Sequence, residues 1–294
     1  MFRNQYDTDV TTFSPAGRLH QVEYAMEAVK QGSCSVGLRS SEWVVVGSLK
    51  RATSELASYQ QKVFKVDDSM GIAVSGLISD ARVIAQWLRS ECLNHRYVYG
   101  SGPVVERLVT ALSDKSQVYT QKAEKRPYGV GLLVAGLDST GPHLFQTDPS
   151  GVYFDCIAQA IGARAQSAKT YLEKVYSSLE GVSREELIEH ALRALKGASP
   201  KKLTSRNVSI GIVGRASTEF IILEGESIRQ LVGRVTNEDD EDDTEEEEKR
   251  KRDRRDGPAD DGSSEEKKGG EEADEAEAKA AEEEQRREEA QMQQ

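Results

Sequence analysis

Between Gly32 and Val235 the chain runs in blocks: short β-rich runs, two helical patterns, β-rich runs, two more helical patterns, β-rich runs. That order limits the fold more than any other feature. Two helices in succession beside two groups of strands favour a layered sandwich over alternating strand–helix–strand units. The first β-rich runs are Ser33–Arg39, Trp43–Ser48, Val63–Asp67 and Gly71–Ser75, punctuated by Gly, Ser and Asp as in an antiparallel meander. Asp80 then caps a helix with Ile84, Trp87, Leu88 and Cys92 inward, and Ser101-Gly102-Pro103 separates it from a second. Val105, Leu108, Val109 and Leu112 of that second helix fall at the spacing of an amphipathic face.

The second half repeats the order. Val130–Leu137 is apolar apart from its glycines and reads as a fully buried strand, followed by Gly141–Thr147 and Val152–Ile157. A helix from about Ala165 presents Leu172, Val175, Tyr176 and Leu179. The next opens at Ser183, with Glu186 at the reciprocal capping-box position and Ile188, Ala191, Leu192 and Leu195 inward. Val208–Val213 and Glu219–Leu223 are strands, and Ser227–Val235 a last helix. The expected fold is α+β, a four-layer αββα sandwich.

Ahead of it lies one more helix. Ser14 is a good N-cap, and Pro15 at the first helical position gives up no needed hydrogen bond. Leu19, Val22, Met26 and Val29 form one apolar stripe, and Gly32 supplies the stop. Arg18, Glu23 and Glu27 interrupt the apolar residues, so the segment has no secretory character. A capped amphipathic helix before the first strand needs a surface to lie on.

The charge divides the chain in two. Residues 237–294 hold 26 Asp and Glu against 11 Lys and Arg, a net of −15, whereas residues 1–236 are +4. The acidic balance therefore belongs to the tail and says nothing of the body's partners. The expected divisions are an N-terminal segment 1–13, one αββα body 14–236 and a disordered charged tail 237–294. The tail has almost no large apolar residues with which to offset the entropy of ordering. Cys34, Cys92 and Cys156 lie far apart and suggest reduced, buried thiols in cytoplasm or nucleus. The four histidines are scattered singly, and no run is long enough for a membrane helix. No motif calls for a cofactor, a metal, nucleic acid or a membrane. Gly129-Val130-Gly131 opens a strand and lacks the third glycine of a dinucleotide loop, so it reads as packing.

Tyr6-Asp7, Phe13-Ser14-Pro15, Gly17-Arg18-Leu19 and Gln21-Val22-Glu23-Tyr24-Ala25 resemble, at fixed spacing, the N-terminal signature of the proteasome alpha subunits. The resemblance runs on to about Val235. Met1–Asp7 and the stretch Arg126–Leu133 point to one eukaryotic branch of that family. It implies the fold of the N-terminal-nucleophile hydrolases, with the extra helix across the top of the sandwich. The implied role is a non-catalytic member of the 20S particle's seven-membered alpha ring, contributing to assembly, axial gating and docking of activator C-terminal tails. The implied partners are neighbouring alpha subunits, beta subunits, and regulatory particles or other activators; the implied location is cytoplasm and nucleus.

Proteolytic beta-type relatives carry a threonine nucleophile at the start of the first strand, with its own amine as base, an acidic residue and a lysine. The matching positions here are Ser33, Leu49 and Lys62. Ser33 follows 32 residues and has no free amine, and Leu49 carries no charge. The expectation is that the chain is not itself an enzyme. The competing reading is an amidohydrolase of the same fold, activated by cleavage before Ser33. For Lys62 an ordinary surface lysine stands against the role the resemblance implies, pairing with the terminal carboxylate of an activator tail. Gly32 and Leu77 would line the same pocket. The resemblance also implies that Tyr6, Asp7, Pro15 and Tyr24 form the gate cluster. Thr8 departs from the archaeal pattern, in which an arginine follows the Tyr-Asp pair, so a cationic contact between neighbours is missing. In the tail, Lys249–Arg255 reads either as a nuclear-import signal or as a run paired with its acidic flanks. Thr244 and Ser263 suit an acid-directed kinase, and Glu271–Ala290 has helical composition.

Overall fold

The computed structural model describes residues 6–52, 54 and 56–236. The readings for Met1–Gln5 and for the tail, including Thr244, Ser263, Lys249–Arg255 and Glu271–Ala290, lie outside the described residues. In chain order the described strands are β1 (Ser35–Arg39), β2 (Trp43–Leu49), β3 (Val63–Asp67), β4 (Met70–Gly76), β5 (Val130–Leu137), β6 (Pro142–Thr147), β7 (Tyr153–Asp155), β8 (Ala158–Ile161), β9 (Val208–Gly214) and β10 (Ser217–Leu223). They make two five-stranded sheets, β10-β9-β2-β1-β8 and β3-β4-β5-β6-β7, and every pairing is antiparallel. The helices are α1 (His20–Gln31), α2 (Ile78–Tyr99), α3 (Val105–Tyr119), α4 (Ala165–Val175), α5 (Arg184–Ala198) and α6 over 226–236.

Three apolar cores separate four layers. Ile84, Leu88, Leu108 and Leu112 of α2 and α3 pack on Phe64, Ile72, Val74 and Leu132 of the second sheet. Leu172, Leu192, Leu195, Ile228 and Val232 of α4, α5 and α6 pack on Leu38, Val45 and Ile210 of the first. Val44, Val46, Ala73, Leu133, Leu144, Val213 and Phe220 fill the space between the sheets. Phe220 is 2 % exposed, and its ring fits because two strands carry glycine beneath it. A Cβ on Gly71 or Gly211 would fall 2.2 or 2.3 Å from the ring. The αββα order read from the sequence is the observed one.

The capping box of α5 is present, with Ser183 Oγ accepting from Glu186 N and Glu186 Oε2 accepting from Ser183 N at 3.0 Å. Elsewhere the boundaries moved for identifiable reasons. Ser14 does not cap α1. Its carbonyl accepts from Gly17 N at 2.8 Å and its hydroxyl from Arg18 N at 3.1 Å, closing a turn with Pro15 inside it, and the helix begins only at His20. Asp80 does not cap α2, because its carboxylate is taken by Arg126 and Gly129. The α4 helix ends at Val175 and a 3-10 segment, Tyr176–Gly181, follows; Leu179 is buried there, but Tyr176 is exposed. The run expected over Val152–Ile157 holds only β7, which closes the edge of one sheet; the chain then crosses to form β8, a strand the sequence reading missed, on the edge of the other. Alternation of apolar residues cannot reveal that crossing, since the two strands are three and four residues long.

Candidate functional site: the helix-capped end of the sandwich

The α1 helix lies against β4 and β5. Its buried side chains are His20, Val22, Ala25 and Val29; Leu19 and Met26, expected in the apolar stripe, are half-buried. The last turn is held by Ser75, whose hydroxyl donates to Val29 O at 2.9 Å and Ser33 O at 3.2 Å. Gly32 follows with φ −62° and ψ 154°, so left-handed backbone is not what its position demands. Space is. A Cβ there would sit 2.1 Å from Gly76 N and 2.4 Å from Ser75 Oγ. The glycine lets the helix end press against β4, and its carbonyl accepts from Ala163 N at 2.7 Å. Ser75 gave no sign in the sequence, because a serine in a strand is common and its two acceptors are 42 and 46 residues away.

Ahead of the helix the structure joins two of the four expected gate residues. Tyr24 Oη donates to Asp7 Oδ2 at 3.3 Å, and Gln21 Nε2 donates to the Asp7 carbonyl. Gln21 belongs to the N-terminal signature, but its role was not legible there; it ties the N-terminal segment to α1 through the backbone. Tyr6 is half-buried in the bend beside Asp7, and Pro15 is exposed in its turn. Arg18 forms a two-point ion pair with Glu23, both contacts at 2.6 Å, bracing that turn against the helix.

Lys62 stands just before β3, with its carbonyl accepting from Val74 N of β4 at 3.1 Å. It is only 3 % exposed, so the ordinary surface-lysine reading fails. No carboxylate among the described residues pairs with it. Burial, with the nearby Arg51 cation adding to it, pushes its amine down to about 8. Leu77, directly before α2, is 45 % exposed, and its amide donates to Gly129 O at 2.8 Å. The three positions expected to line the tail pocket thus border one strand, β4. Gly32 abuts Gly76, Lys62 opposes Val74, and Leu77 continues from Gly76.

The start of α2 is anchored by a pair that the sequence did not reveal. Asp80 accepts from Arg126 at 2.6 and 2.8 Å and from Gly129 N at 3.0 Å. Burial raises its carboxyl, but the Arg126 hydrogen bond, the Gly129 amide and the Arg126 charge outweigh it and hold the group below its ordinary value. Arg126 and Gly129 both lie in the stretch Arg126–Leu133 that carries part of the family resemblance, and that stretch was the available signal.

The places of a beta-type catalytic centre hold nothing that works as one. Ser33 is 3 % exposed and continues the chain from Gly32, and Leu49, 8 % exposed, occupies the acidic position. Cys34 and Cys92 are buried free thiols pushed up to about 12, by burial alone for Cys34 and mainly so for Cys92.

Residues 6–28 match the N-terminal signature of the A-type proteasome subunits, and residues 29–213 match the proteasome subunit family. The chain is 54 % identical over 242 residues to the alpha type-1 proteasome subunit of Dictyostelium discoideum, covering 81 % of this chain and 97 % of that one. It is 46 % identical over 244 residues to the Drosophila melanogaster protein of the same name, covering 81 % and 88 %. With that of Caenorhabditis elegans the identity is 45 % over 238 residues, covering 80 % and 91 %. The signature falls on the Asp7–Tyr24 segment and its helix, the family match runs through both sheets, and the chain belongs to the proteasome subunit family as an alpha-type member.

Proposed function

We propose that this chain, a non-catalytic structural subunit of the 20S proteasome alpha ring, helps to form the axial gate and offers half of an activator pocket on each flank. Peptide cleavage is left to beta-type subunits with an N-terminal threonine. The gate share rests on Tyr6, Asp7, Pro15 and Tyr24, of which Asp7 and Tyr24 are hydrogen-bonded. Docking of activator tails rests on Gly32, Lys62 and Leu77. One observation carries it: Lys62 is a buried cation without a described counter-charge. Leaving such a charge unpaired is costly, and a terminal carboxylate from a partner supplies what is missing.

Replacing Lys62 by Ala is expected to weaken binding of a tail-bearing activator while alpha-ring assembly persists. Unchanged tail binding at this pocket would sink the assignment. The division into an N-terminal segment 1–13, a body 14–236 and a charged tail 237–294 belongs to the same reading, as does residence in both cytoplasm and nucleus. Import through Lys249–Arg255 is checked by fusing residues 238–294 to an inert reporter, for which a wholly cytoplasmic signal rules that route out.

A further inference from the structure

The pocket lysine has an unusual electrostatic setting. The β2–β3 loop closes at its neck, where Gln60 N donates to Arg51 O at 3.0 Å, and Lys62 follows two residues on. Several charged groups on the flanking elements have other partners. Glu27 and Lys30 of α1 pair with each other at 3.1 Å, and Asp80 of α2 is held by Arg126 at 2.6 Å. Lys65 of β3 pairs with Glu219 at 2.7 Å, and Lys50 beyond β2 with Glu224 at 3.3 Å. Among the described residues the charge acting on Lys62 is that of Arg51, which has the same sign.

We infer that docking of a carboxylate-ended tail at this pocket is proton-linked: Lys62 must hold its proton to receive the carboxylate, so affinity falls as the solution turns alkaline. This rests on the pocket reading above. Burial and Arg51 both disfavour the cation in the empty pocket, leaving it half-protonated near about 8. The cation is therefore present below that value and lost above it. A docked carboxylate supplies the missing counter-charge and draws a proton back onto the amine. The cationic fraction drops from about nine-tenths at pH 7 to about one-tenth at pH 9, and apparent affinity follows it, a weakening of about tenfold. An exposed lysine, titrating near 10.4, would give an almost flat response over that range.

The test uses assembled particles containing the full chain and a fluorescent peptide ending in a free carboxylate, with its C-terminal carboxamide as control. Binding lost in Lys62→Gln particles defines the Lys62-dependent share. That share is expected to weaken about tenfold between pH 7 and pH 9. In Arg51→Gln particles, where an exposed side chain is changed and the like charge removed, the fall moves to higher pH. Carboxylate-specific, Lys62-dependent binding of equal strength at pH 7 and pH 9 overturns the proton linkage alone. A carboxamide that binds as well as the carboxylate, or a Lys62→Gln particle that binds like the wild type at pH 7, overturns the pocket reading beneath it.

Discussion

Replacing Gly32 by Ala tests the claim that crowding, and not backbone conformation, sets the glycine at the end of α1. With φ −62° and ψ 154°, alanine meets no conformational penalty. At an open site of this kind the change would stabilise by about 0.4–1 kcal/mol through the unfolded chain. Here the new methyl lands 2.1 Å from Gly76 N, 2.4 Å from Ser75 Oγ and 2.9 Å from Ser75 C, and two of those atoms are backbone. Either α1 lifts or β4 bends. Overpacking of this kind costs about 1–3 kcal/mol. Lifting the helix end also stretches the Ser75–Val29 bond of 2.9 Å and the Ala163–Gly32 bond of 2.7 Å, worth about 1 kcal/mol each. The net expectation is a loss of about 2–4 kcal/mol, confined to the contact between α1 and β4. Hydrogen exchange read by mass spectrometry over residues 20–31 in the assembled particle is the assay. Protection of those amides should drop by about thirtyfold or more. Gly17→Ala is the counterpart: φ there is +74° with nothing within 4 Å, so its cost of about 1–2 kcal/mol is local strain that leaves the last turn of α1 protected. If Gly32→Ala keeps wild-type protection over residues 20–31, the steric argument is wrong.

Three other outcomes follow from the same structure. Ser183→Ala removes the capping box of α5 and should cost about 0.5–2 kcal/mol, seen as earlier unfolding in urea; no change in midpoint would mean the cap is idle. Asp80→Asn keeps an acceptor for Gly129 N but loses the charged pair with Arg126, a side chain 60 % exposed, so the cost is about 1 kcal/mol. Because the Asp80 carboxyl is held below its ordinary 3.8, its contribution is present above that value and fades as pH falls through the depressed one. A stability difference between wild type and Asp80→Asn that does not shrink as the solution is acidified below 3.8 contradicts this. Deleting residues 1–9 removes Asp7 from Tyr24 and Gln21 and should raise basal peptide hydrolysis by the assembled particle, and unaltered hydrolysis excludes this segment from the barrier.

What could be read along the chain was whatever local periodicity and capping encode. Val105, Leu108, Val109 and Leu112 are all buried on α3, and Ser183 with Glu186 opens α5, because those interactions close within four to seven residues. Val63–Asp67 and Val130–Leu137 are strands over the residues expected. Two errors share one cause. Ser14 and Asp80 each have a side chain suited to a helix N-terminus, and each is used for something else: Ser14 closes its own turn, and Asp80 binds an arginine 46 residues away. Gly32 does end α1 as expected, but what its position requires is room beside β4 and not left-handed backbone.

The order of strand and helix blocks, the charge break at residue 237 and the family signature from Tyr6 to Ala25 belong to the sequence alone. They suffice for the αββα architecture and for placing the chain among the alpha-type proteasome subunits. Only the folded chain decided that Lys62 is a buried cation, that Asp7 meets Tyr24 and Gln21, and that Ser75 pins α1 to the sheet. Burial and counter-charge are properties of a neighbourhood assembled from distant segments, so the same lysine that reads as surface in the chain is, in the fold, a buried amine with no counter-charge among the described residues.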